Sequence, residues 1–96
     1  MKKITKAAAA AFVEKKNFSC SNTIVSNDNG KTEMFLFGNK IASLNGNQLT
    51  ITNCGWQTNT TKERLNALPK VSICQKKGVW YLNGNEWDGS PHTITL

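Results

Sequence analysis

One histidine, two prolines and six acidic residues are all that 96 residues hold of three decisive classes. The histidine, His92, stands behind Pro91, and a general base needs partners held in geometry. Of the acids, Glu63 reads as a helix-capping residue, and Asp28 and Asp88 fall in turn sequences. Glu86 and Asp88 flank Trp87 and share a strand face, but two carboxylates without a third ligand hold a hard cation poorly. Neither a GxGxxG run nor a P-loop pattern occurs. Cys20, Cys54 and Cys74 show no CxxC spacing, and a cysteine nucleophile would have only His92 to activate it. These gaps point away from an enzyme, a metal site and a cofactor.

Long apolar runs are also missing, and none approaches the ~18 residues of a membrane span. Met1-Lys2-Lys3 followed by Ala7–Ala11 has the outline of a signal peptide. Lys6 interrupts it and the run is mostly alanine, so an amphipathic helix is expected there instead. An odd number of widely spaced cysteines suits free thiols in a reducing cytoplasm, buried as small hydrophobes. The length suits one domain, 1–96.

What the chain does have is turn chemistry. Leu-Asn-Gly-Asn occurs twice, at 44–47 and 82–85. Asn-Gly suits a two-residue type I′ hairpin turn, whose central residues both need positive φ. Two hairpins centred on Asn45-Gly46 and Asn83-Gly84 are therefore expected. Twelve asparagines and ten threonines reinforce a turn-rich, strand-forming composition.

A helix is expected over 3–15, where Ile4, Ala8, Ala11 and Phe12 make one apolar stripe. Phe18–Ser26 reads as one strand. Thr32–Phe37 reads as a second, apolar on both faces and so covered on both sides. Gly38-Asn39 suits a type II′ turn into Lys40–Leu44, and Gln48–Asn53 alternates cleanly as a half-buried strand. Thr60 and Glu63 fit a capping box for a helix over 61–68, with Leu65 and Leu68 inward and Pro69 as the stop. Val71–Gln75 and Gly78–Leu82 are two more strands, joined at Lys76-Lys77, and Thr93–Leu96 can add a last one. The order α-β-β-β-β-α-β-β plus one or two short C-terminal strands defines an α+β fold, an antiparallel meander with two helices.

A net charge of +6 and a basic first helix (Lys2, Lys3, Lys6) turn attention to binding. Trp56 to Arg64 gathers an aromatic, polar side chains and two cations around a helix N-terminus, a setting that favours phosphate. Lys62, Asn59 and Thr58 are the leading candidates for nucleic-acid contact, ahead of Arg64. Trp56 is a stacking surface, and Lys76 and Lys77 form a second basic spot. The simpler reading of each patch is a solvated face. Trp80 and Tyr81 are adjacent on a strand, so one of them faces away from the core, free to stack a base, anchor a protein partner or lie under a helix. Two functions follow: a small non-enzymatic protein that engages nucleic acid or a nucleic-acid-handling host factor, or a protein–protein inhibitor or adaptor working through an exposed sheet face.

Four segments add a resemblance. They are Leu36–Ala42, Leu49–Trp56, Thr60–Asn66 and Gly78–Gly84 with Trp87-Asp88-Gly89. Together, over Phe35–Gly89, they resemble short, functionally uncharacterised accessory proteins of tailed bacteriophages. The resemblance implies a small accessory protein acting in the cytoplasm of a bacterial host, and it carries over no catalytic or binding residue.

Overall fold

The computed structural model describes residues 2–96; Met1 of the 1–96 domain lies outside them. The chain runs α1 (Lys3–Glu14), β1 (Phe18–Cys20), β2 (Thr23–Asp28), β3 (Lys31–Leu36), β4 (Asn39–Asn45), β5 (Gln48–Ile51), α2 (Asn59–Asn66), β6 (Ile73–Lys76), β7 (Val79–Leu82), β8 (Asn85–Glu86) and β9 (His92–Thr95). It is the α+β antiparallel meander that the pattern predicts, with one strand more before α2. Six strands form one sheet in the order β1-β2-β3-β4-β5-β9, and β6-β7-β8 form a second.

The extra strand arises because Phe18–Ser26 is not continuous. The chain reverses at Ser21-Asn22, with Ser21 at φ 53°, so that Phe18 lies opposite Val25. The reversal lets β2 pair with β1 on one side and β3 on the other.

Hairpin turns do most of the shaping. Asn29-Gly30, Phe37-Gly38, Lys77-Gly78 and Asn83-Gly84 each have positive φ at both central positions, the type I′ pattern that matches strand twist. The expected Gly38-Asn39 turn is thus displaced by one residue, and Phe37 leaves its strand to become a turn residue. The two Leu-Asn-Gly-Asn copies do not behave alike. Leu82 pairs with Asn85 around Asn83-Gly84, as expected. In the first copy Asn45 pairs with Gln48, so the turn is Gly46-Asn47 with positive φ at Gly46 alone, the type II′ pattern. That register sets buried Leu44 against buried Leu49 and keeps Asn47 out of the core. In the second copy, the register sets Trp80 against Trp87, whose rings lie 6.2 Å apart. Cross-strand apolar matching chooses the turn type.

Thr23, Val25, Met34, Leu36, Leu44, Leu49 and Ile51 form the buried inner face of the large sheet. Helix α1 lies across its β1–β3 side, with Ala8 and Phe12 fully buried and Ile4 only half-buried. The left-handed residue Lys15 ends α1, and the Lys16 N–H closes on the Ala11 carbonyl at 2.8 Å. The expectation that β3 is covered on both sides fails: Glu33 and Phe35 are half-exposed, and Phe35 faces Ile24, itself 44% exposed, on the open side. All three cysteines are exposed rather than buried, because each lies in a turn or on an outward strand position. A β-bulge where Met34/Phe35 meet Lys40/Ala42 makes Ile41 the extra residue and sends both Ile41 and Ala42 inward.

The C-terminal strand crosses back to pair with β5, Leu49 opposite Ile94. Just before it, Gly89 (φ 89°) accepts from the Asn53 N–H and the Thr52 hydroxyl. A Cβ at Gly89 would run into the Asn53 amide, whereas one at Gly46 meets open space. Gly89→Ala is therefore expected to cost about 1–3 kcal/mol more than Gly46→Ala, the added overpacking term. The difference in denaturant midpoints of the two variants measures it.

Candidate functional site

The segment Cys54–Thr61 holds the candidate site, and its geometry begins with a turn. Cys54 and Gly55 both take positive φ, and the Trp56 N–H closes on the Asn53 carbonyl at 2.8 Å. This ejects the Trp56 side chain, which is 58% exposed. Asn53 is buried below, its Oδ1 accepting from the Gly55 N–H at 2.8 Å. Its Nδ2 has no hydrogen-bond partner among the described residues.

Helix α2 starts two residues earlier than the capping box predicts. Thr58, not Thr60, is the N-cap: its Oγ1 accepts from the Thr61 N–H at 3.1 Å and lies 3.0 Å from the Thr61 hydroxyl. Glu63 is drawn away from capping by α1. Its Oε1 accepts from the Thr5 hydroxyl at 2.6 Å and from Arg64 Nη1 at 2.9 Å, and its Oε2 accepts from the Lys2 N–H at 3.4 Å. The Thr5 hydrogen bond is the main reason its carboxyl sits below the ordinary range; burial opposes it, and the Lys2 N–H and the Arg64 charge add to it.

Arg64 corrects the second expectation. Its side chain is 3% exposed and spends its donors inside the protein. Nε donates to the Thr23 hydroxyl at 3.1 Å, Nη2 to Asn22 Oδ1 at 3.3 Å, and Nη1 to Thr5 as well as Glu63. It has no surface from which to reach a phosphate. Lys62 is also engaged: Nζ donates to Gln75 Oε1 at 3.0 Å and sits 5.9 Å from the Trp80 ring centroid. Asn59, Lys76 and Lys77 remain exposed. Trp80 is 1% exposed, so Tyr81, half-buried, is the one turned away from the core.

What the structure brings beside Trp56 and Thr58 is Phe37, which the sequence pattern had placed in a strand. The turn carries its ring into solvent, 70% exposed at φ 51°. Phe37 and Trp56 border a groove of about 340 Å³ with Leu36 and Ile41 on its apolar wall and Thr58 and Thr61 on the helix side. The β4 bulge supplies Ile41 and the β3–β4 turn supplies Phe37. One signal in the sequence pointed here: Phe37-Gly38 places an aromatic where hairpin turns favour Asn or Asp.

Glu86 and Asp88 line a separate, more open groove with Gln57 and Trp87. Among the described residues no group of three or more His, Cys, Asp or Glu side chains is placed to hold a metal ion. His92 lies exposed in β9.

Fold and groove together define a small α+β protein of helix and meander, with an exposed aromatic pair beside an apolar depression. The chain belongs to the Kyanoviridae Gp96 protein family, a phage family, whose model matches residues 1–95. The match extends the phage resemblance from Phe35–Gly89 to almost the whole chain. No curated protein and no solved structure matches it.

Two outcomes test this local geometry. Thr58→Ala should lose about 0.5–2 kcal/mol of stability, and Thr60→Ala should leave the denaturant midpoint almost unchanged. Glu63→Gln should destabilise most at neutral pH. Because the folded carboxyl has the lower pKa, its contribution is present above the unfolded value and fades as pH falls through the folded one. The gap between wild type and variant should therefore narrow below about pH 4, as a pH series of thermal midpoints will show.

Proposed function

We propose that this phage protein acts by binding, without catalysis, and that it grips an apolar side chain of a protein partner between Phe37 and Trp56. Phe37 carries the proposal. A bulky L-residue at φ 51° costs on the order of 1–2 kcal/mol, and here the residue, 70% exposed, gains little burial in return. Other exposed residues, Lys15, Lys70 and Lys77 among them, share this conformation; Phe37 differs in carrying a large apolar ring, and strained residues cluster at binding sites. Trp56 stands beside it, also held out by a left-handed turn, and Leu36 and Ile41 offer an apolar seat. Aromatic anchors at a dry pocket are the usual energetic centre of a protein interface. The three exposed thiols suit the reducing cytoplasm of a bacterial host, where an inhibitor or adaptor of a host protein would work.

The net charge of +6 favours a second reading, nucleic-acid binding. Its support is narrower than the sequence pattern suggests, since Arg64 is buried and Lys62 is tied to Gln75. Lys76, Lys77 and Asn59 stay exposed, and Trp56 with Phe37 could stack unpaired bases.

Salt separates the two. A partner captured from nuclease-treated host lysate should stay bound as salt rises, and Phe37→Ala and Trp56→Ala should each weaken it by about 2 kcal/mol, roughly 30-fold. Binding of single-stranded oligonucleotides at low salt that is lost steeply as salt rises, with no capture from the nuclease-treated lysate, would replace the protein reading with the nucleic-acid one.

A further inference from the structure

We infer that the side chain gripped between Phe37 and Trp56 is a tyrosine of the protein partner, its phenol oxygen accepting a hydrogen bond from Asn53 Nδ2. This rests on the reading of the groove as a protein-binding site and narrows it to one kind of side chain.

Two residues lining the groove are both polar and buried, Asn53 and Thr61, each 1% exposed. The Thr61 hydroxyl is already bonded to that of Thr58 at 3.0 Å. Asn53 keeps a donor unspent. Its main-chain N–H donates to the Gly89 carbonyl at 3.1 Å, and its main-chain carbonyl accepts from the Trp56 N–H at 2.8 Å. Its Oδ1 accepts from the Gly55 N–H at 2.8 Å. That last bond fixes the amide: turned over, it would set an NH2 against the Gly55 N–H, donor against donor. Nδ2 is therefore a true donor, and no group among the described residues accepts from it. A Cβ at Gly89 would lie almost equally close to Nδ2, Oδ1 and Cγ, so Gly89 covers the flat face of the amide. The edge carrying the two N–H bonds is the polar part of Asn53 left for the groove it lines. A buried donor without an acceptor destabilises the free protein, and a ligand that supplies the acceptor recovers the loss.

The chemistry of the wall selects the occupant. Phe37 and Trp56 at the border and Leu36 and Ile41 on the seat favour an aromatic ring. Phenylalanine has no acceptor to offer, and a tryptophan indole has only a donor. A carboxylate accepts, but it would exchange its water for an apolar seat with one donor. Histidine and glutamine also accept, yet each sets an N–H donor at a second place on the seat. Tyrosine puts its one oxygen, donor and acceptor together, at the tip of an apolar ring.

The test titrates two probes into the isotope-labelled wild-type chain by NMR: p-cresol, the tyrosine side chain, and toluene, the phenylalanine side chain. Toluene is the more hydrophobic, so a purely apolar groove would hold it the tighter. With Asn53 donating, p-cresol should bind at least about tenfold more tightly than toluene. It should also move the Asn53 side-chain NH2 protons further downfield, and Phe37→Ala should weaken both probes. No variant at Asn53 is needed, which matters because its Oδ1 holds the Gly55 turn. If toluene binds as tightly as p-cresol, or the Asn53 protons move no further with p-cresol, the inference is overturned; loss of both probes in Phe37→Ala would then leave the groove itself standing as a binding site. If neither probe binds, or Phe37→Ala changes neither, the groove reading falls and this inference with it.

Discussion

Arg64 is the tie on which the arrangement depends. One guanidinium, reaching from α2, joins Thr5 of α1, Thr23 of β2, Asn22 of the β1–β2 turn and its own neighbour Glu63. A charge taken out of water must find such partners or it destabilises the fold by several kcal/mol. The three neutral acceptors and one carboxylate around Arg64 therefore define where both helices sit against the sheet. The same carboxylate, held by Thr5 and the Lys2 N–H, fastens the start of α1 to α2. Once α2 is docked there, Thr58 and Thr61 stand opposite the β3–β4 hairpin, and the groove exists.

The groove itself is made by backbone conformations that most residues avoid. Phe37 and Cys54 both occupy the left-handed region, each followed by a glycine. One turn throws out a phenylalanine ring, and the other throws out Trp56. The bulge in β4 turns Ile41 toward the depression between them. Three local irregularities in an otherwise regular meander thus converge on one place. Regular strands would have left Phe37 half-covered on the sheet, like Phe35.

Local turn preference and cross-strand pairing compete openly in the duplicated tetrapeptide. Both copies contain Asn-Gly, and both form hairpins, yet only Asn83-Gly84 occupies the turn. The flanking residues make the difference. Leu44 meets Leu49 only if the turn slides to Gly46-Asn47, and Trp80 meets Trp87 only if it stays on Asn83-Gly84. Turn types I′ and II′ both accept glycine, so the cost of sliding is small and side-chain matching governs the register.

Composition and pattern alone determined the α+β class, the antiparallel meander, the two helices and, to within one residue, the hairpin turns after β2; the turns expected at Gly38-Asn39, Asn45-Gly46 and Lys76-Lys77 each moved by one residue, to Phe37-Gly38, Gly46-Asn47 and Lys77-Gly78. These rest on neighbours in sequence: alternation, helical periodicity and Xaa-Gly pairs act over a few residues. Trp56, Thr58 and Asn59 were also legible as surface, because a polar connector before a helix has little to bury it. The tertiary structure alone decided the rest. Arg64 reads as an ordinary solvent cation until Thr5 and Thr23, far away in sequence, close around it. Lys62 reads as free until β6 brings Gln75 within reach. Glu63 abandons the cap that its spacing with Thr60 suggests because α1 offers it Thr5. Phe37 becomes an exposed ring at the groove only when its turn is registered by the strands on either side. For Arg64, Lys62 and Glu63 the deciding partner lies many residues away, and only the folded chain sets it at hydrogen-bond distance.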